Sequence, residues 1–149
     1  MGRINVHFTI CVRDRKAIFR DETLVRKLVE LLEQKLKETN CDSPVYCFMP
    51  NHLHLLVRGR SEDATPKVAI DKFKLSAGIW LGTHRAGMKL QHDYYDHIIR
   101  SHDDWREQAQ YIARNPVRAG LVENPLDYPF TGCIGSDWKE MSRQIFLGW

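Results

Sequence analysis

The chain has 149 residues, a formal net charge of +3 and a pI near 8.7. Hydrophobic residues make up 43% and charged residues 28%, the balance of a soluble globular chain long enough to bury a core, and no apolar run nears the ~20 residues that span a bilayer. No two of the four cysteines (Cys11, Cys41, Cys47, Cys133) form a C-x-x-C pair, which argues against a zinc site or a disulfide framework.

There are no repeats, linkers or low-complexity stretches, so one domain over residues 1–149 is expected. Met1-Gly2-Arg3-Ile4-Asn5 carries no signal-peptide core and points to a cytoplasmic protein. The mild positive charge permits nucleic-acid binding without requiring it.

In chain order, Asn5 to Arg13 reads as a strand with Val6, Phe8, Ile10 and Val12 on one face and His7, Thr9 and Cys11 on the other. His7 is given no role, nor is His92. A helix follows from Asp21 to Thr39, with Leu24, Leu28, Leu31 and Leu32 at helical spacing, Asp21 as N-cap and Asn40 as stop. Pro44 to Met49 and His52 to Gly59 read as two strands joined tightly through Pro50-Asn51. Thr65 is expected to cap a second helix that has Pro66 in its first turn and ends near Gly87.

Leu90 to Ile99 reads as a further strand. Ser101 to Asp104 is expected to cap a third helix from about Asp103, ended at Asn115 because the residue before Pro116 is pushed out of helical space. Residues 125–149, with Pro125, Pro129, Gly132 and Gly135, are expected to form an irregular C-terminal wrap. The order β-α-β-β-α-β plus a helix predicts an α+β fold: a mainly antiparallel sheet with helices packed on one face.

Two features carry chemistry. His52 and His54 stand two apart on a strand, so their imidazoles share a face while Leu53, Leu55 and Val57 bury the other. Such a pair supplies two ligands to one metal ion and needs at least one more. Glu107, Tyr111 and Asn115 lie on one row of the third helix, at i, i+4 and i+8. Two imidazoles, an amide and a phenol together suit metal-assisted phosphoryl transfer with Mg²⁺ or Mn²⁺. A free tyrosine, with a pKa of ~10, is a weak nucleophile until a cation favours its phenolate.

Met49-Pro50-Asn51-His52-Leu53-His54-Leu55-Leu56-Val57 resembles the histidine–hydrophobic–histidine motif of HUH single-tyrosine transposases. Tyr111-Ile112-Ala113-Arg114-Asn115-Pro116-Val117-Arg118-Ala119-Gly120 resembles the tyrosine helix of their REP-associated branch. The resemblance implies a ferredoxin-like HUH nuclease fold. It implies cleavage of single-stranded DNA next to a hairpin by tyrosine attack, giving a 5′-phosphotyrosine and a free 3′-OH that can rejoin. It makes His52 and His54 metal ligands, Tyr111 the nucleophile and Asn115 the third ligand, with Glu107 the other candidate for that place. Relatives in the wider family are dimers with the tyrosine supplied in trans, whereas this branch resembles a monomer, so monomer and homodimer both stand.

Arg114 and Arg118 flank the tyrosine row, and with Arg58, Lys72, Lys74 and Arg100 they are the candidate cations of a DNA path. Tyr94 and Tyr95 are candidates for base stacking, one of them instead a core residue. Two other readings compete: a domesticated hairpin-binding module that does not cut, and a hydrolase that uses water with Tyr111 structural.

Overall fold

Val6, Phe8 and Ile10 are fully buried on one face of β1 (Asn5–Cys11), and His7 and Thr9 occupy the other. The computed structural model describes residues 3–100 and 104–146. After β1 come α1 (Glu22–Glu38), β2 (Cys41–Met49), β3 (His52–Gly59), α2 (Pro66–His84), β4 (Tyr95–Ile99), α3 (Asp104–Arg118), β5 (Thr131–Ile134) and α4 (Trp138–Phe146). The strands form one sheet in the order β4-β1-β3-β2-β5, with every neighbouring pair antiparallel. The first four strands follow the ferredoxin-like order, and β5 extends the β2 edge.

The Asp21 side chain accepts the Leu24 backbone N–H at 3.1 Å, the expected cap of α1. Asn40 ends that helix with a φ of 55°. Thr65, by contrast, makes no side-chain cap bond, although Pro66 does open α2. The tight β2–β3 joint is tied down from outside: Val12 donates to the Asn51 carbonyl and Phe19 to that of Pro50, both at 3.0 Å.

The helices lie on both faces of the sheet, not on one. Leu24, Leu28 and Leu32 of α1 and Phe73 and Leu81 of α2 bury Phe8, Leu53, Leu55 and Val57. On the reverse, Ala109, Ile112 and Ala113 of α3 join Met141 and Ile145 of α4 over Val45, Cys47, Met49 and Leu56. The reason lies in β2, where all but Tyr46 are buried, so both faces of the sheet centre need cover.

The C-terminal stretch is likewise ordered rather than an irregular wrap. Thr131 pairs with Cys47 and Gly132 with Tyr46 along β2, and α4 then returns to α3. The strand expected from Leu90 begins only at Tyr95; Leu90 makes a lone bridge to Val12, and Lys74 holds the Gln91 and His92 carbonyls outside any ladder.

Pro116 does not end α3. It sits buried in the last turn, and the helix runs on to Arg118. The end is set by Gly120, at φ 75°, where Leu121 N–H donates to the Pro116 carbonyl at 2.9 Å and Gly120 N–H to that of Val117 at 3.0 Å. This is the left-handed closure that glycine makes without strain. Packing of Ile112, Ala113 and Pro116 outweighs the ~3 kcal/mol a helical proline costs, and Asn115 stays in helical register with Tyr111. The expected cap at residues 101–103 lies outside the described residues, as do residues 147–149. No helix among the described residues is long and apolar enough to cross a membrane.

Candidate active site

Antiparallel pairing sets which side chains of β4, β1 and β3 meet. β1 and β3 put Thr9 opposite His54 and Cys11 opposite His52, and β4 puts His97 opposite His7. These residues share the face covered by α3. The His52 and His54 ring centroids are 4.7 Å apart, and His7 lies 5.2 Å from His54.

In both histidines of the pair Nδ1 is engaged. His52 Nδ1 donates to the Asn51 side-chain carbonyl at 2.7 Å. His54 Nδ1 is 3.1 Å from His7 Nε2 and 3.1 Å from Thr9 Oγ1. Among the described residues neither Nε2 has a hydrogen-bond partner, so the two free nitrogens are the equivalent ones.

Burial keeps these rings neutral. It lowers His54 to about 3, helped by the neighbouring His52 and His7 and by Arg118. It lowers His7 to about 4, helped by His97. His52 is also lowered, by burial and then Arg15. Neutral imidazole is the form that ligates metal. An unfolded histidine titrates near 6.5, so between that pH and about 4 the unfolded chain binds more protons than the folded one. Stability of the metal-free protein is therefore complete above pH ~6.5 and falls as pH drops, by a few kcal/mol in total. Urea unfolding at pH 7.5 and pH 5 checks the sign: an unchanged or higher midpoint at pH 5 would contradict it.

Small residues bring α3 close to the sheet: Ala109 and Ala113 are fully buried. That approach sets Tyr111 with its ring 6.4 Å from both His54 and His7, 47% exposed. The Arg118 guanidinium lies 4.1 Å over the Tyr111 ring and donates to the Tyr111 carbonyl. Asn115 follows one turn on, half-buried, and its Nδ2 is buried without a hydrogen-bond partner among the described residues.

The residue that reaches the histidines from α3 is Gln108, whose Nε2 donates to His7 Nδ1 at 2.6 Å. Glu107 is exposed beside it, lining a shallow cleft with His97 and Arg100. His7, Thr9 and Gln108 are thus the additions that sequence reasoning missed. Alternation alone had placed His7 on the polar face of its strand; the missing fact was that β1 lies beside β3.

The candidate DNA cations separate by location. Arg58 makes two 3.0 Å bonds to Asp42, whose side chain is 3% exposed, and Arg60 joins them, so Arg58 holds the sheet together. It also stands six residues, about 20 Å, along β3 from His52. Lys72 and Lys74 are on α2, behind the sheet, and Lys74 is bound to loop carbonyls. Arg114 packs over Phe146 at 5.4 Å and Arg100 is exposed at the end of β4. Arg118 is the one in contact with Tyr111. Tyr94 is structural, donating to Asp71 at 2.8 Å and packed edge-on to Phe8. Tyr95 is 71% exposed, on the strand edge beside Thr9.

Among the described residues no group of three His, Cys, Asp or Glu side chains is placed to hold an ion. A site on the His52–His54 pair would therefore be completed by a neutral amide or by the substrate. Asn115 on the tyrosine helix offers such an amide, its Oδ1 being the atom that would ligate and its Nδ2 having no partner among the described residues, and two neutral imidazoles whose Nε2 atoms make no hydrogen bond there supply the rest.

A ferredoxin-like antiparallel sheet that presents histidines to a tyrosine-bearing helix defines a class, and comparison with known proteins gives the family. A family profile described as "Transposase IS200 like" matches residues 1–113, and the chain belongs to that family. The REP-associated tyrosine transposase of Escherichia coli K12 is 26% identical over 133 residues, covering 83% of this chain and 73% of that protein. A Haemophilus influenzae protein described as "Putative REP-associated tyrosine transposase" is 23% identical over 145 residues, covering 83% of this chain and 76% of that protein. The solved structure of a REP-associated tyrosine transposase bound to a REP hairpin superposes with a TM-score of 0.75 at 21% identity, over 88% of this chain and 77% of that one. The expected branch is the one these relatives represent.

Proposed function

We propose that this chain cuts and rejoins single-stranded DNA next to a hairpin, in the cytoplasm, with Tyr111 as nucleophile. The observation that carries the reading is the placement of the Tyr111 ring 6.4 Å from His54 within one chain. A single protomer thereby holds tyrosine and histidine pair together, which favours a monomer with the tyrosine in cis. The relative whose structure holds a REP hairpin supports hairpin DNA as the substrate class.

Tyr111 Oη attacks the scissile phosphorus and loses its proton. The bond to the 3′ oxygen breaks, that oxygen takes up a proton, and the 5′-phosphate stays on Tyr111. Attack by a 3′-OH on the phosphotyrosine reverses the step and reseals the strand. Arg118, stacked on the Tyr111 ring, is positioned to meet the phosphate charge as DNA arrives. His52 and His54 through Nε2, and Asn115 through its amide, are the residues that would hold Mg²⁺ or Mn²⁺. The ion would neutralise and polarise the phosphate oxygens. Asn51 and Thr9 orient the two imidazoles.

The test is incubation of the protein with hairpin-bearing single-stranded DNA and Mn²⁺. Cleavage with a DNA–protein adduct that chelation or His52→Ala abolishes is expected. Tight hairpin binding with no cleavage under any divalent ion would instead indicate a binding module. Turnover without an adduct would indicate attack by water.

A further inference from the structure

Gln108 and His7 form a hydrogen-bonded chain that ends on His54 Nδ1, where Thr9 Oγ1 makes a separate contact, and the proposed reaction uses neither Gln108 nor His7 directly. Gln108 lies 2.6 Å from His7 Nδ1, and His7 Nε2 lies 3.1 Å from His54 Nδ1. A neutral imidazole carries one proton, so the proton at one nitrogen decides what the other can do.

When the Gln108 NH₂ faces His7, Nδ1 of His7 accepts and Nε2 carries the proton. That proton is donated to His54 Nδ1, which forces the His54 proton onto Nε2. In this state His54 has no lone pair to offer outward. The two ends of the Gln108 amide fill the same space, so a half-turn brings Oε1 to His7 instead. His7 Nδ1–H then donates to the amide oxygen, and His7 Nε2 accepts from His54 Nδ1–H, with Thr9 Oγ1 as a second acceptor. The His54 Nε2 lone pair is now free.

We propose that Gln108 and His7 are positioning residues that select the tautomer of His54, the Gln108 amide acting as a two-way selector between a ligating and a non-ligating Nε2. Protons balance in the exchange. His7 passes its Nε2 proton to His54 Nδ1, His54 releases its Nε2 proton to solvent, and solvent returns one to His7 Nδ1. Both rings are neutral before and after the exchange, and the three transfers are coupled. His52 differs in that its Nδ1 lies 2.7 Å from the Asn51 side-chain oxygen, the arrangement in which Nε2 keeps its lone pair. The asymmetry makes His52 a constitutive ligand and His54 a gated one. The gating rests on the metal role of His54 given under Proposed function, whereas the tautomer relay itself does not.

Two readouts separate them. Long-range ¹⁵N–¹H spectra of the metal-free, ¹⁵N-histidine-labelled protein at pH 7.5 report each ring's tautomer. Gln108→Glu presents only acceptor oxygens and is expected to move His7 and His54 wholly to the Nδ1–H form. Mn²⁺ affinity should then rise by about 10-fold, the scale on which supporting residues tune metal sites. In a His7→Phe background, or His7→Leu should that variant fold better, Gln108→Glu should leave both the His54 tautomer and Mn²⁺ affinity unchanged. An unmoved His54 tautomer in Gln108→Glu would overturn the relay. So would an equal rise in Mn²⁺ affinity with and without His7, which would mark a plain charge effect. A shifted tautomer with no Mn²⁺ on His54 in any variant would support the relay and sink the metal role of His54.

Discussion

Tyr111→Phe is expected to lower formation of the covalent DNA adduct by at least about 10³-fold while leaving the fold intact. The substitution removes one oxygen, and with it the only atom on the ring that can attack phosphorus. The ring itself stays: its stacking under Arg118 and its edge contacts to His7 and His54 are made by carbon atoms. Tyr111 is 47% exposed and its hydroxyl has no hydrogen-bond partner among the described residues, so stability should change by less than about 0.5 kcal/mol. Denaturing gels of protein mixed with labelled hairpin DNA and Mn²⁺ count the adduct, and thermal unfolding controls for folding. Adduct at the wild-type level would move the nucleophile to another residue and undo the proposed mechanism.

Removing residues 121–149 is expected to abolish the same adduct although His52, His54, Tyr111 and Asn115 all remain. The deleted stretch holds β5 and α4. Met141 and Ile145 are buried against α3, and the Ile145 carbonyl accepts from Gln110 Nε2 at 2.7 Å. Ile134 adds to the opposite core. At about 1.5–3 kcal/mol for each fully buried side chain, the loss is several kcal/mol, a large part of the ~5–15 kcal/mol that holds a domain together. Val45, Cys47 and Met49 would also lose cover on one face. A milder form of the test is Ile145→Ala, expected to cost about 2–5 kcal/mol. Circular dichroism and urea unfolding read the stability, and the gel assay reads the site. A truncated protein that folds and cuts normally would show that α3 needs no support from behind. The family profile ends at residue 113, so this prediction bears on a part of the chain that the family match does not cover.

Local patterns carried much of the fold. The Asp21 cap needs only the first turn of its helix, and the alternation of β1 and of His52-Leu53-His54 needs only a strand. These are short-range consequences of backbone geometry, so reading along the chain recovers them. The helical row that joins Tyr111 to Asn115 is of the same kind. Pro116 shows where a local rule yields. Its cost was outweighed by burial against the sheet, and Gly120, not the proline, ends α3. The C-terminal strand failed for a related reason. Thr131 to Ile134 is too short to announce itself, and it is a strand because β2 offers an unpaired edge.

What the sequence by itself determined was the α+β class, the histidine pair on one strand face and the tyrosine on a helix. Which strands are neighbours, and which faces the helices cover, was decided only by tertiary packing. Those choices brought His7 beside His54, put Gln108 rather than Glu107 against it, and gave Arg58 to Asp42. Register between strands distant in the chain is set by the burial of whole faces, a sum over many residues that no single stretch displays. The site is therefore half local and half long-range: its proposed ligands and nucleophile follow from periodicity, and the residues that orient them follow from the sheet order.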